Sequence, residues 1–326
     1  MKIRWGLGFL ALLLLGIWAY SRLRTETPQE FEDVPVQAQP TVPAPAQESH
    51  HPVFDLNEWI HRHPWPQKLK KGGSIIASPA HLAWTEQIRA RTEATTSLGR
   101  RVPADVFVWA LGEPPKPYLT KVGGVPYLPQ TSSWPGTTDG KPMTFLAQFC
   151  FLDSKDLFNA EWPGDVLLIF MAEEESYIEP GQRGALRLLW TKVDDQPRWT
   201  AERMPKPRFP VMCGHGIRHR TFDYPDASDS FEAQGLSSSY LLGCLQATRI
   251  GGEPWFIQDD PRYPNEEVLC ALSSIQPVPE TPYPYANRPE PYPMLQYDSE
   301  LILGDMGCLY ILRHKDGTLR AAFDCY

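Results

Sequence analysis

From residue 106 to the C-terminus the chain reads as short runs of β-branched and aromatic residues separated by Pro, Gly and Asp. Residues 106–110, 145–152, 166–172, 185–193, 240–245 and 308–313 carry this pattern and are predicted strands. His314-Lys-Asp-Gly-Thr318 contains Asp-Gly, a hairpin signal, and leads into a further strand at 319–323. Upstream the period changes. Residues 54–60 suit a short amphipathic helix that Pro64 and Pro66 would stop. Residues 79–91 read as a helix with Ser78 as N-cap and Pro79 in the first helical position, although Leu82, Trp84 and Ile88 make no clean apolar stripe. Strands in consecutive hairpins without regular intervening helices imply antiparallel pairing. The expected fold class is α+β, with mainly antiparallel sheets in two duplicated halves and a few flanking helices.

The duplication rests on one stretch. Thr120-Lys-Val-Gly-Gly-Val-Pro-Tyr-Leu-Pro-Gln130 returns as Thr248-Arg-Ile-Gly-Gly-Glu-Pro-Trp-Phe-Ile-Gln258. Thr, both Gly, Pro and Gln are identical, and four of the other six positions exchange like for like. Leu146-Ala-Gln-Phe149 is matched downstream to Met294-Leu-Gln-Tyr297, and the Gly-Asp run beginning at Gly164 to that beginning at Gly304. The same motifs in the same order on a long period indicate a duplicated unit, with repeats near 106–200 and 240–326. Paired glycines permit positive φ or close backbone approach, and Pro two residues later stiffens an extended exit. As architecture this is a turn. A sharper reading places Tyr127, Gln130, Trp255 and Gln258 as ligand-binding residues of a cleft. The phosphate-loop pattern is absent.

The ordered set of motifs, closing on Leu-Gln-x-Asp-Ser, Gly-Asp-x-Gly-x-Leu-Tyr and a terminal Asp-Cys-Tyr, resembles the YwqG-like family. The likeness covers roughly residues 106–326 and implies a bacterial α+β domain without a defined reaction. Cys150 departs from the acidic residue usual in the family after Leu-Ala-Gln-hydrophobic.

The N-terminus differs in composition. Residues 5–20 form an uncharged apolar run after Lys2 and Arg4, with no small-residue cleavage site at its end. Residues 1–24 are therefore expected to be an uncleaved membrane anchor. This implies a single-pass inner-membrane protein whose domain faces the periplasm or cell exterior, with the membrane as a partner. Residues 25–52 are Pro-rich and read as a tether, leaving 53–326 as the folded domain. His50, His51, His61 and His63 lie in or beside that tether and are expected to be solvated.

Chemistry is sparse. A net charge of −8 without a basic block argues against nucleic acid as a partner. The six cysteines never form Cys-x-x-Cys. They read either as buried hydrophobes or, in an oxidising compartment, as partners in disulfides, with Cys213, Cys244, Cys270 and Cys325 the candidates. Cys213, His215 and His219 are the best metal-like set, but glycines interrupt them and no second pair lies at finger spacing. Asp223, Asp226 and Asp229 lack the glycine and distal Glu of a calcium loop and read as a solvated acidic loop. Nucleophile-elbow, zincin and dinucleotide signatures are missing, and no cofactor is expected. Residues 277–293 hold seven prolines with Tyr283, Tyr285 and Tyr292, suited to wrapping a sheet edge or to meeting a protein partner. The composite expectation is a membrane-tethered binding or interaction module of the bacterial cell envelope. Its alternative is a hydrolase-type enzyme, metal-dependent or not, working in a cleft between the halves.

Overall fold

Two ten-residue strands, β1 (Val102–Leu111) and β6 (Gly214–Asp223), form the axis of the molecule. They pair antiparallel along their full length, from Val102 opposite Asp223 to Leu111 opposite Gly214. This computed structural model describes residues 49–62, 78–172, 185–207, 211–233, 235, 242–275, 285–287 and 300–325, all within one structural unit. On one side of the axis lie β2 (Lys121–Val122), β3 (Thr144–Cys150), β4 (Val166–Met171) and β5 (Leu186–Thr191). On the other lie β7 (Arg249–Gly251), β8 (Glu266–Ser273), β9 (Cys308–His314) and β10 (Leu319–Asp324). Every pairing between these strands is antiparallel, in the order β10-β9-β8-β7-β1-β6-β2-β3-β4-β5.

That order is symmetric. Each half is a long strand, a short motif strand and a three-strand meander, and the halves exchange partners. The motif strand β2 pairs with β6, whereas β7 pairs with β1. Lys121 faces His215 and Arg249 faces Val106, so the local twofold passes through the Val108–Ile217 pair at the centre of the axis. Matching hydrogen bonds follow. Thr120 Oγ1 accepts the Cys150 N–H at 3.0 Å, and Thr248 Oγ1 accepts that of Ser273 at 3.2 Å. The carbonyls of the same threonines accept from Gly216 and Phe107 of the opposite long strand, each at 2.9 Å.

The repeated motif organises each half around a carboxylate. Lys121 Nζ donates to Glu113 Oε2 at 2.7 Å, and Arg249 Nη1 and Nη2 donate to Asp223 at 2.5 and 3.0 Å. The same carboxylates accept the backbone N–H of the residue between Gly-Gly and Pro, from Val125 at 2.9 Å and from Glu253 at 2.8 Å. All four motif glycines have positive φ, between 56° and 77°. A Cβ on Gly124 would sit 2.0 Å from Glu113 Oε1, and one on Gly252 would sit 2.3 Å from Asp223 Oδ2. The turn wraps the carboxylate, and only glycine leaves room for it.

Beyond the turn, the Pro-stiffened exit crosses the outer face of its own meander. Tyr127 and Leu128 pack there with Phe145, Leu168 and Phe170, and Phe256 and Ile257 with Val268, Tyr310 and Leu312. The inner face forms one apolar core from both halves, including Phe107, Phe149, Ile169, Leu272 and Ile311. Leu188 and Trp190 of β5 and Ala321 and Phe323 of β10 pack on that same core, so the sheet curls into a nearly closed barrel.

Among the described residues three α-helices accompany it, α1 (Leu56–Arg62), α2 (Pro79–Glu93) and α3 (Ser228–Glu232). Ser78 caps α2 as expected, its Oγ accepting the His81 N–H at 3.1 Å. The missing stripe on α2 has a physical answer: its buried face sets Leu82 and Ile88 among small residues and one arginine. Arg89 is buried and donates to the carbonyls of Leu242, Phe222 and Gly243, so polar bonds fix this helix where apolar area is short.

These observations correct four expectations. The α+β class with separate sheets gives way to one sheet-dominated, nearly closed ten-strand barrel, because strands such as β3, β4 and β9 carry apolar side chains on both faces. The strand expected at 240–245 is instead a helical turn at Leu242 and Gly243, with residues 240 and 241 outside the described residues. In the match downstream of the motif, β3 corresponds to β8, and Leu168 rather than Phe170 corresponds to Tyr310. Membrane attachment is also unsupported. Among the described residues no helix is long and apolar enough to cross a membrane, α2 at 15 residues rising only about 22 Å against a ~30 Å hydrocarbon core. The run at 5–20 lies outside the described residues, so the transmembrane, single-pass and periplasm-facing assignments are set aside.

Gly124→Val and Gly252→Val should each lower the urea midpoint, with about 1–3 kcal/mol from backbone strain and more from displacing the carboxylate. Gly140→Ala, also at positive φ but with nothing within 4 Å of its Cβ position, should cost less than either. Equal losses at all three would show that the carboxylate does not set the glycine requirement.

Candidate functional site

A cleft opens beside each copy of the motif. Next to the second copy it reaches about 320 Å³ and is lined by Tyr224, Glu253, Trp255, Phe256, Asp260 and Arg262, among others. Next to the first it is only about 60 Å³, between Gly123, Gly124, Trp134, Phe145 and Met204. The larger cleft is walled by aromatic faces and prolines, and its charges are matched internally. Arg100 clamps Glu253 through two bonds of 2.6 and 2.9 Å. Arg262 clamps Asp260 at 2.6–3.0 Å and lies over Phe256, 5.3 Å from the ring centroid. The Arg100 bond holds the Glu253 carboxyl below its usual range. Burial works against ionisation of Asp260, and the Arg262 bonds outweigh it, so that carboxyl is lowered too. Cys244 lines the same cleft, but burial pushes its thiol up to about 12, so it is no nucleophile at neutral pH.

The four residues expected to bind ligand do not share one site. Trp255 and Gln258 line the larger cleft. Tyr127 is buried: its N–H donates to Gln148 Oε1 at 2.9 Å, its hydroxyl to the Asp194 carbonyl at 3.0 Å, and Arg198 covers its ring at 3.9 Å. Gln130 Nε2 donates to the Arg198 carbonyl at 2.8 Å, and Gln258 Nε2 to the Cys325 carbonyl at 2.6 Å. Each motif thus ends by clipping to the chain just beyond the last strand of its meander.

Cys213, His215 and His219 do not converge either. The two histidines lie on β6 four residues apart, about 13 Å along the strand. His215 Nδ1 meets the Gly112 carbonyl at 2.9 Å, and His219 sits edge-on to Phe54. Among the described residues no three His, Cys, Asp or Glu are grouped to hold a metal ion. All six cysteines are free of disulfides, and Cys270, one of the four disulfide candidates, is buried in β8.

Sequence reasoning passed over two groups. Asp223, expected in a solvated loop, is buried beneath Arg249. His51, expected to be solvated, is 2% exposed, its Nδ1 2.7 Å from Asp153 Oδ2 and its Nε2 3.0 Å from Thr120 Oγ1. Thr120, His51 and Asp153 therefore line up as hydroxyl, imidazole and carboxylate, the order of a nucleophilic triad. The hydroxyl is fully buried, accepts the Cys150 N–H and lines neither of these two clefts, so the chain of bonds fastens structure. Nearby, Asp105 is buried against Arg218, Arg220 and Ser154. Of the Pro/Tyr segment, residues 285–287 are described, and they cover the edge of β1. Ala286 N–H donates to the Trp109 carbonyl at 2.8 Å, and the Asn287 amide brackets Leu111 with bonds of 2.9 and 3.0 Å.

Gln130→Ala and Gln258→Ala should each cost about 1 kcal/mol of stability, the usual net worth of one hydrogen bond, read as comparable shifts in urea midpoint. A stability-neutral Gln258→Ala would release that side chain from the clip and return it to the cleft.

No curated protein matches the chain. A family model described as a domain of unknown function, DUF1963, spans residues 120–325, which takes in both motif copies, both meanders and β6. The chain belongs to the DUF1963 family.

Proposed function

We propose that this chain is a non-enzymatic binding module that receives an extended, proline-bearing peptide segment in the cleft beside the second Gly-Gly turn. The observation carrying the reading is the character of that cleft: aromatic and proline walls, with Arg100–Glu253 and Asp260–Arg262 already paired. A prolyl segment is extended before binding and lays flat pyrrolidine faces on aromatic rings, so little ordering entropy opposes it. Neither His215 nor His219 lines the cleft, and the hydroxyl of the Thr120–His51–Asp153 chain is buried, which weighs against the hydrolase alternative. The finer YwqG-like assignment is consistent with the family match and implies no reaction.

A ten-residue proline-rich peptide and a neutral oligosaccharide, titrated calorimetrically against the full chain, separate the readings. The expected result is peptide binding that Trp255→Ala weakens at least tenfold, with the circular dichroism spectrum unchanged. Peptide affinity indifferent to Trp255→Ala, or binding of the sugar alone, would overturn the proposal.

A further inference from the structure

The chain entering the barrel from its N-terminal side is held by a short strap, residues 49–54. It adds a parallel partner to β6 where β2 stops: Arg218 N–H donates to the Pro52 carbonyl at 2.9 Å, and Phe54 N–H to the Arg218 carbonyl at 2.8 Å. Arg218 corresponds to Trp109 under the local twofold, so the strap covers β6 as residue 286 covers β1. The two covers differ in how they are fastened. The strap has an imidazole clasp. Asp153 accepts from the backbone N–H of His50 at 2.8 Å and of His51 at 2.7 Å, and from the His51 ring. His51 Nε2 lies 3.2 Å from the Thr120 N–H and 3.0 Å from its hydroxyl, and Phe107 packs against the ring. A backbone N–H can only donate, so Nε2 is the acceptor and the single ring proton sits on Nδ1, toward Asp153.

We infer that residues 49–54 form an acid-released strap, with His51 as its catch. A second ring proton would sit on Nε2 and point at the Thr120 N–H, setting donor against donor in a site without water access. The charged groups facing the ring are Asp153 on Nδ1, then Arg218 and Asp105 from the two long strands; His50 lies beside it, against Tyr118. Burial lowers the ring's affinity for a proton, and Arg218 adds to this, against the opposing pull of Asp153 and Asp105. The docked ring thus titrates below the free ring's value of about 6.5, so docking is complete above that pH and weakens as pH falls below it. Asp153, held well below the usual carboxylate range, adds its own loss only in stronger acid. Release leaves the N–H and carbonyl of Arg218 unpaired, an open position on a strand edge.

Hydrogen exchange of the full chain, corrected for intrinsic rates, tests this between pH 7.5 and 5.5. Opening at the amides of His51 and Phe54 should rise by up to tenfold for each pH unit below about 6.5, while amides of β4 stay protected. His51→Gln, neutral at every pH, should remove the pH dependence, and Asp153→Asn should raise strap opening already at pH 7.5. Strap protection constant across the range, or pH-dependent opening that persists in His51→Gln, would overturn the inference. Loss of β4 protection in step with the strap would overturn it as well.

Discussion

Everything in this barrel hangs on a charge pair placed where water cannot reach. Arg249 and Asp223 are both fully buried, and an ion stranded there alone would cost several kcal/mol. Asp223 is therefore surrounded by donors: two guanidinium nitrogens and the N–H of Glu253. That N–H reaches the carboxylate only if the chain turns tightly around it, and the turn fits only if Gly252 has no side chain. The tight turn then sends Pro254 outward and lays Phe256 on the outer face of the meander. Charge, glycine, proline and aromatic are successive consequences of one buried pair. The first half repeats them with Lys121 and Glu113, but Glu113 is 45% exposed, so solvent shares the work of stabilising that carboxylate.

The halves are alike yet neither is complete. β2 has its neighbour in the long strand of the second half and β7 in that of the first, so each motif closes on the other repeat. Their shared inner core has no seam between repeats. Difference enters at the exits. Tyr127 is tied down by its hydroxyl and covered by Arg198, whereas Trp255 borders open space. The two turns are equivalent, and the larger of the two clefts lies beside the second, with Trp255 in its wall.

Much of this was legible in the chain and some of it could not be. The Gly-Gly-x-Pro copies were visible because identical turn chemistry needs identical residues, and their positive φ values follow from that. β6 was hidden. Its Gly-His-Gly-Ile-Arg-His-Arg run has Ile217 as its one strand former, since Gly216 must clear the Phe107 ring and Arg218 and Arg220 must reach the buried Asp105. The fold class was misread for the same reason: without β6 the two meanders look like separate sheets. Asp223 and His51 were passed over because burial of a charged or titratable side chain is decided by partners far off in sequence, Arg249 and Asp153 here. The cleft residues Asp260 and Arg262 carry no local signal at all.

A double-mutant cycle on the buried pair tests the central claim most directly. Arg249→Met and Asp223→Leu, measured singly by urea unfolding, should each cost about 3–5 kcal/mol because each strands the opposite charge. Combined, they remove both charges, and the double variant should recover most of that loss, giving a coupling of at least about 2 kcal/mol. Additive losses, with the double variant as unstable as the two singles together, would contradict the account by showing that the pair is not what the turn is built around.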